Sequence, residues 1–300
     1  MGGRDDMTQT AAALLGAPVR YPSGRDLSLA DRVTYVLRQR FRYTYDAPVR
    51  DLDHRLVVIP PQHHGDQRRR LQSVTVSAEG AQIINRRDGA GNTVTRIRVP
   101  LVPAYVEFLL NAVVERAGPA SGAVLPDAAL TDPRLLQPTR LTAADPAIRD
   151  LATAMTSRDG LETAERFCAY VHGALAYAHG TTSITTTAAE ALAGGTGVCQ
   201  DSAHLMIALC RAAGLPARYV SGHLLGEGGT HSWVEVIVAD PAGARAVALD
   251  PCNGRRAGKD YVTVATGRDY ADVAPTSGTY AGTARGTLTA IKRVSVALIA

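Results

Sequence analysis

From Val33 to Glu115 the chain is built of short runs in which β-branched and other apolar residues alternate with polar ones. "VTYVLRQRFRYTYDAPV" (33–49), "RLVVIP", "LQSVTVSA", "AQIINRR", "TVTRIRVPLV" and "VEFLLNAVVE" (106–115) follow one another, broken by turn signals such as "DGAGN" (88–92). Short alternating runs divided by Gly, Asp and Asn predict strands, and a succession of them with little helix predicts an antiparallel β-sandwich over residues 31–116.

The pattern then changes. "RAGPASGAVLPDAALTDP" (116–133) is rich in Pro, Gly and Ala and opens a linker placed at 117–142. Beyond it, over residues 143–300, the spacing becomes helical before returning to strands. In "GLETAERFCAYVHGALAYA" (160–178), Leu161, Ala164, Phe167, Cys168, Val171 and Leu175 recur at helical intervals and predict a buried stripe. Cys168 is therefore read as a core residue. Residues 1–30 are polar, punctuated by Gly and Pro, and are expected to be mobile.

Composition narrows the function classes. The 300 residues are 46% hydrophobic and 20% charged, with 32 basic and 28 acidic side chains giving a net charge of +4. The densest basic run is Arg68-Arg69-Arg70, without interleaved aromatics, so no nucleic-acid surface is expected. No apolar run approaches the ~18 residues of a membrane span, and "TAAALLGA" follows Asp5 and Asp6 rather than a basic leader, so neither membrane nor export is expected. Cys168, Cys199, Cys210 and Cys252 form no CxxC pair and no metal-type spacing with histidine. Free thiols, a cytoplasmic location and no metal or organic cofactor are the expectations.

"GGTGVCQDSAHLMIALCRAAGLPARYVSGHL" sets Cys199 behind a glycine cluster and at the head of a helix. Ala203, Met206, Ile207, Leu209, Cys210 and Ala213 outline an apolar face, and Gly214-Leu215-Pro216 stops it. A thiol in the first turn meets unpaired N–H groups and the positive end of the helix dipole, which favour thiolate. Gly194, Gly195 and Gly197 would leave room for a substrate backbone. Taken alone, the segment fits a nucleophile and a small hydrophobic plug equally well. Cys210, deeper on the same face, reads as structural.

A nucleophilic thiol needs a base, and the base an orienting partner. In "THSWVEVIVADPAGARAVALDPCNG" (230–254), two strand patterns flank an Asp-Pro turn. Pairing outward from Pro241 brings His231 opposite about position 250, so His231 and Asp250 become neighbours to within a residue or two. Among the other histidines, His204 lies inside the helix, His223 can line a cleft from the strand "YVSGHLL", and His63-His64 read as a solvated loop. His172 and His179 flank a helix end.

"GVCQDSAHLMIALCRAAGLPARYVSGHL", "HSWVEV" and "LDPCNG" together resemble the three core motifs of the bacterial transglutaminase-like family, in the order cysteine, histidine, aspartate. The β-rich segment before them and "GRDYADVAPTSGTYAG" after them are also similar to that family, so the resemblance spans roughly residues 31 to 296. It implies an α+β protein whose papain-like core packs a cysteine-bearing helix on an antiparallel sheet. It also implies Cys199 as nucleophile, His231 as general base and then acid, and Asp250 as orienter of the ring. Ser232 departs from the alanine common between His and Trp, and His223 stands where tyrosine is frequent. Cys199 N–H is a natural oxyanion donor. Gln200, Tyr177, His223 and Trp233 are the further oxyanion or cleft candidates. The implied chemistry is acyl transfer from a protein, peptide or small amide through a thioester, by peptidase or amidase hydrolysis. Transglutaminase-type exchange or biosynthetic amide formation is the alternative, and a non-catalytic binding module is the alternative of another class.

Overall fold

The computed structural model describes residue 27 and residues 29–118 and 122–299. Most of the segment expected to be mobile therefore lies outside the described residues. The fold is α+β and strand-rich, with antiparallel sheets and a helix, Cys199–Ala212, that carries Cys199.

Two sheets form the sandwich. One has five strands, in the spatial order Gly286–Ile299, Arg32–Tyr45, Tyr105–Ala117, Gln67–Val76 and His63–His64; the other has four, Thr276–Ala281, Val49–Ile59, Thr93–Val102 and Gln82–Arg87. Alternation drives this packing. In Thr93–Val102, Thr95, Ile97 and Val99 are buried while Arg96 and Arg98 face solvent. Phe41, Phe108 and Leu110 of one sheet meet Leu52, Leu56 and Ile97 of the other.

The last two strands were grouped by sequence with residues 143–300, yet each hydrogen-bonds to the N-terminal sandwich. Thr276–Ala281 pairs with Val49–Ile59, and Gly286–Ile299 pairs with Arg32–Tyr45 along its length. Alternation marks a strand but does not name its neighbour, so this return was not legible. The segment read as a linker is also structured where it is described. Leu125, Ala129, Leu130 and Leu135 pack against Ile237, Ala244 and Ala246, and Ala123 O accepts the amide of Ala246 at 2.9 Å.

The second sheet system runs Arg255–Arg256, Gly243–Asp250, His231–Asp240, Ala217–Leu224 and Tyr261–Gly267. Its outer strand, Tyr261–Gly267, abuts the sandwich through two side-chain amides. Gln67 accepts from Thr263 N–H at 2.9 Å and donates to Thr263 O at 2.8 Å. Asn92 does the same with Thr266, at 2.9 and 2.8 Å. Each amide substitutes for one residue of a neighbouring strand and satisfies backbone groups that an open edge would leave unpaired. Arg116, paired with Asp66 at 2.7 Å, adds a bond to Tyr261 O at 2.8 Å.

The Cys199 helix is enclosed on all sides. Every residue from Gln200 to Arg211 is buried, where the pattern predicted a single apolar face. The polar members are accommodated individually. Arg211 donates to Leu135 O, Thr142 Oγ1, Ala217 O and Arg268 O at 2.7–3.1 Å, although burial lowers its pKa to about 10. His204 takes the Tyr270 N–H at 3.2 Å on Nε2 and is kept neutral by burial, its pKa lowered to about 4. His64 leaves the solvated role expected of it and binds Glu235 at 2.6 Å, opposite Arg218 on the other carboxylate oxygen.

Candidate active site

The head of the Cys199 helix is fixed by Asp201. Its Oδ2 accepts from Val198 N–H at 2.8 Å and from the Thr182 hydroxyl at 2.7 Å, closing the first turn and tying the 178–183 segment to it. Gly197 makes this possible, because a Cβ there would stand 2.7 Å from Asp201 Cβ. Gly195 ends the preceding helix in a left-handed conformation, φ 64°. Two of the three glycines read as making room for substrate thus have conformational causes of their own. Cys199 itself is half-buried, whereas Cys168 and Cys210 are buried and their thiols are pushed up to about 12 by desolvation.

His231 opens the strand His231–Asp240 and Asp250 closes its hairpin partner Gly243–Asp250. The register runs from Asp240↔Gly243 to Val234↔Leu249. Continued by one pair it sets Asp250 level with Trp233, two residues from His231 and on the same face, the alternation that a one-residue slip would destroy. His231 Nε2 lies 2.7 Å from Asp250 Oδ2. The ring's Nδ1 lies 3.3 Å from Glu227 Oε2, and Cys199 is near enough to act on its protonation. Burial disfavours the charged ring, but Asp250, Cys199 and Glu227 outweigh it and raise the His231 pKa to about 12.

Asp250 is sealed from solvent and has no vacant oxygen. Oδ1 accepts from the backbone N–H groups of Cys252 (3.0 Å) and Asn253 (3.2 Å); Oδ2 accepts from His231, Asn253 Nδ2 (2.8 Å) and the Tyr261 hydroxyl (2.6 Å). Desolvation raises the carboxyl pKa, yet these donors and the His231 charge lower it below its ordinary value on balance. The acid is held as carboxylate beside a ring held as its conjugate cation.

The remaining candidates divide. Trp233 is buried and stacks on His231, ring centroids 6.2 Å apart and planes at 27°. Tyr177 is exposed, and its hydroxyl pKa is raised by desolvation and by nearby groups that include Glu227. Gln200 is buried and donates to Ser183 O at 3.4 Å. His223 is turned from the cleft. It is buried, bonded through Nδ1 to Gly229 O at 3.1 Å, and neutral, with its pKa lowered to about 4.

Asn253, Tyr261, Glu227 and Asp201 escaped the sequence reading. An acid three residues after a helix cap is a recognised signal and could have marked Asp201. Tyr261 comes from a separate strand, and no spacing rule links it to Asp250. Among the described residues no group of three or more His, Cys, Asp or Glu is arranged to hold a metal ion. No helix among them is long and apolar enough to cross a membrane.

Residues 149–251 match the family model of the transglutaminase-like superfamily, and residues 35–115 match that of the bacterial transglutaminase-like N-terminal region. The chain carries a transglutaminase-like core. The match to that core runs from the helix Pro146–Met155 through Cys199 and His231 to just past Asp250. An uncharacterized protein of Mycobacterium tuberculosis is 29% identical over 287 residues, covering 85% of this chain and 90% of that protein. An uncharacterized protein of Mycobacterium leprae is 38% identical over 118 residues, covering 36% of this chain and 40% of that protein. Among solved structures, a candidate cysteine protease from Cytophaga hutchinsonii shares the fold of the transglutaminase-like core and its sandwich. Its TM-score is 0.73 at 21% identity, covering 89% of this chain and 91% of that one. The family match supports a cysteine-dependent hydrolase or acyltransferase in general.

Proposed function

We propose that the protein transfers acyl groups from an amide or peptide through a thioester on Cys199, with hydrolysis as the main outcome. One observation supports the reading: the imidazole that lies 2.7 Å from a fully hydrogen-bonded carboxylate has its pKa raised in part by the half-buried thiol that begins a helix. Because Asp250 occupies Nε2, Nδ1 is the nitrogen that exchanges protons with sulfur and substrate.

With the ring already cationic and a proton on Nδ1, the sulfur attacks the carbonyl carbon. The C=O electron pair moves onto oxygen, where backbone N–H groups of the helix start, Cys199 N–H foremost, stabilise it. As the tetrahedral adduct collapses, the C–N bond breaks and Nδ1 gives its proton to the leaving amine. Cys199 is one cause of the raised His231 pKa, so its conversion to the thioester lowers that pKa and eases proton release to the leaving amine. The ring, then neutral, takes a proton from the incoming water. Hydrolysis returns the free thiol. Asp250 holds the ring and stabilises its charge without taking the proton.

Amide exchange uses the same first half, with an amine replacing water in the second. Intact-mass analysis of products with and without added amine separates the two outcomes. Cys199→Ala is expected to abolish turnover, and full activity in that variant overturns the reading. Rapid iodoacetamide labelling of Cys199 at neutral pH, with Cys168 and Cys210 inert, is expected. Slow, uniform labelling of the three would instead favour a binding module.

A further inference from the structure

Glu227 stands where the reaction meets its amine. Its carboxylate is 46% exposed, and its Oε2 lies 3.3 Å from His231 Nδ1, the ring nitrogen that Asp250 leaves free. An amine that takes a proton from Nδ1, or gives one to it, must come within hydrogen-bonding distance of that atom, about 3 Å. It then stands beside the Glu227 carboxylate as well.

The loop that presents Glu227 is held at both ends. Leu225 N–H donates to Asp260 O at 2.9 Å and Glu227 N–H to Leu224 O at 3.2 Å. Further on, His223 binds Gly229 O at 3.1 Å, and the Lys292 ammonium donates to the Thr230 hydroxyl. Gly226 adopts φ 91°, a left-handed turn that lifts the next residue over the imidazole. The loop is anchored, and its charged tip is placed rather than trailing in solvent.

The charge balance of the mouth points the same way. Desolvation raises the pKa of the exposed Tyr177 hydroxyl, the Glu227 carboxylate adds to the rise and the His231 ring opposes it. The His231 ring lies between two carboxylates, Asp250 at 2.7 Å and Glu227 at 3.3 Å, and Glu227 is the exposed one of the two.

Building on acyl transfer at Cys199, we propose that Glu227 is a specificity-determining residue that selects a cationic group carried on the amine side of the exchanged bond, by the leaving amine or by the acceptor, beside the nitrogen that reacts. The carboxylate binds that cation and disfavours anionic groups there. A residue that served only to hold the ring would affect all substrates alike.

The test needs no knowledge of the natural substrate. Alkylation of Cys199 in the full chain is timed by peptide mass with 2-bromoethylammonium, bromoacetamide and bromoacetate, in the wild type, Glu227→Gln and Glu227→Lys. Intrinsic reagent reactivity and any general change in the thiol cancel in the rate ratios between reagents. The cation-to-neutral ratio is expected to fall about tenfold in Glu227→Gln and further in Glu227→Lys, while the anion-to-neutral ratio rises. Ratios that stay at their wild-type values, or move the opposite way, overturn the proposal. Cys199 is half-buried and can be alkylated whether or not it is catalytic. A failure of the thioester reading therefore shows separately, as slow labelling of Cys199 by the neutral reagent in the wild type.

Discussion

Tyr261 donates its hydroxyl at 2.6 Å to Asp250 Oδ2, the same oxygen that lies 2.7 Å from His231 Nε2. The tyrosine comes from the strand that abuts the sandwich, so the orientation of the carboxylate is tied to the seating of the whole core. Removing this donor without disturbing the ring isolates its role. Tyr261→Phe is expected to lose about 1 kcal/mol of stability and several-fold in turnover, read by urea unfolding and product formation. An unchanged turnover would assign Tyr261 to packing alone.

Asp250→Asn replaces an acceptor with an amide that donates where His231, Asn253 and Tyr261 already donate. The ring loses its charge partner and its preferred tautomer. A fall in kcat of about 10³–10⁴-fold is expected, by analogy with loss of an orienting carboxylate, with a stability loss of about 1–3 kcal/mol. Circular dichroism and single-turnover kinetics separate the two effects.

The His231–Asp250 pair makes stability depend on pH in a defined direction. His231 is raised from an ordinary value of 6.5, so its contribution is complete below 6.5 and declines as pH climbs from there toward about 12. Asp250 is lowered from 3.8, so its contribution is complete above 3.8 and fades as pH falls through its folded value. The stability difference between wild type and His231→Gln should be greatest between these limits and narrow above pH 6.5. A difference that grows with rising pH would contradict the pairing.

Gly197→Ala places a methyl 2.7 Å from Asp201 Cβ, under the first turn of the Cys199 helix. Overpacking of this kind costs about 1–3 kcal/mol. Because the displaced atoms bracket Cys199, labelling of the thiol by iodoacetamide should slow as well. A substitution at Gly194, which has open space around it, serves as the control.

Gln67→Ala leaves both the N–H and the carbonyl of Thr263 without their present partner, and Asn92→Ala does so at Thr266. Each unsatisfied buried group costs about 1–3 kcal/mol. Hydrogen exchange at the amides of Thr263 and Thr266 should quicken in the corresponding variant and only there.

The features legible in the sequence were those fixed by short-range geometry. The start of the Cys199 helix follows from its glycine cluster and its Gly-Leu-Pro stop, and the proximity of His231 to Asp250 from hairpin counting. What escaped depends on contacts between segments distant along the chain. Tyr261 reaches Asp250 from the edge strand, with two strands lying between, Glu227 reaches the ring through a loop conformation, and Gln67 and Asn92 find that edge strand 196 and 174 positions away. His223 misled because a strand position does not say whether the ring faces the cleft or folds back onto a loop carbonyl.

The pairing of Arg32–Tyr45 with Gly286–Ile299 has a consequence for biogenesis. On the ribosome, the early strand must wait with one flank bare until residues 286–299 have emerged. A nascent chain stalled before residue 286 would expose that flank to other strands, and chaperone capture or aggregation of such intermediates should cease once residues 286–299 are free to pair.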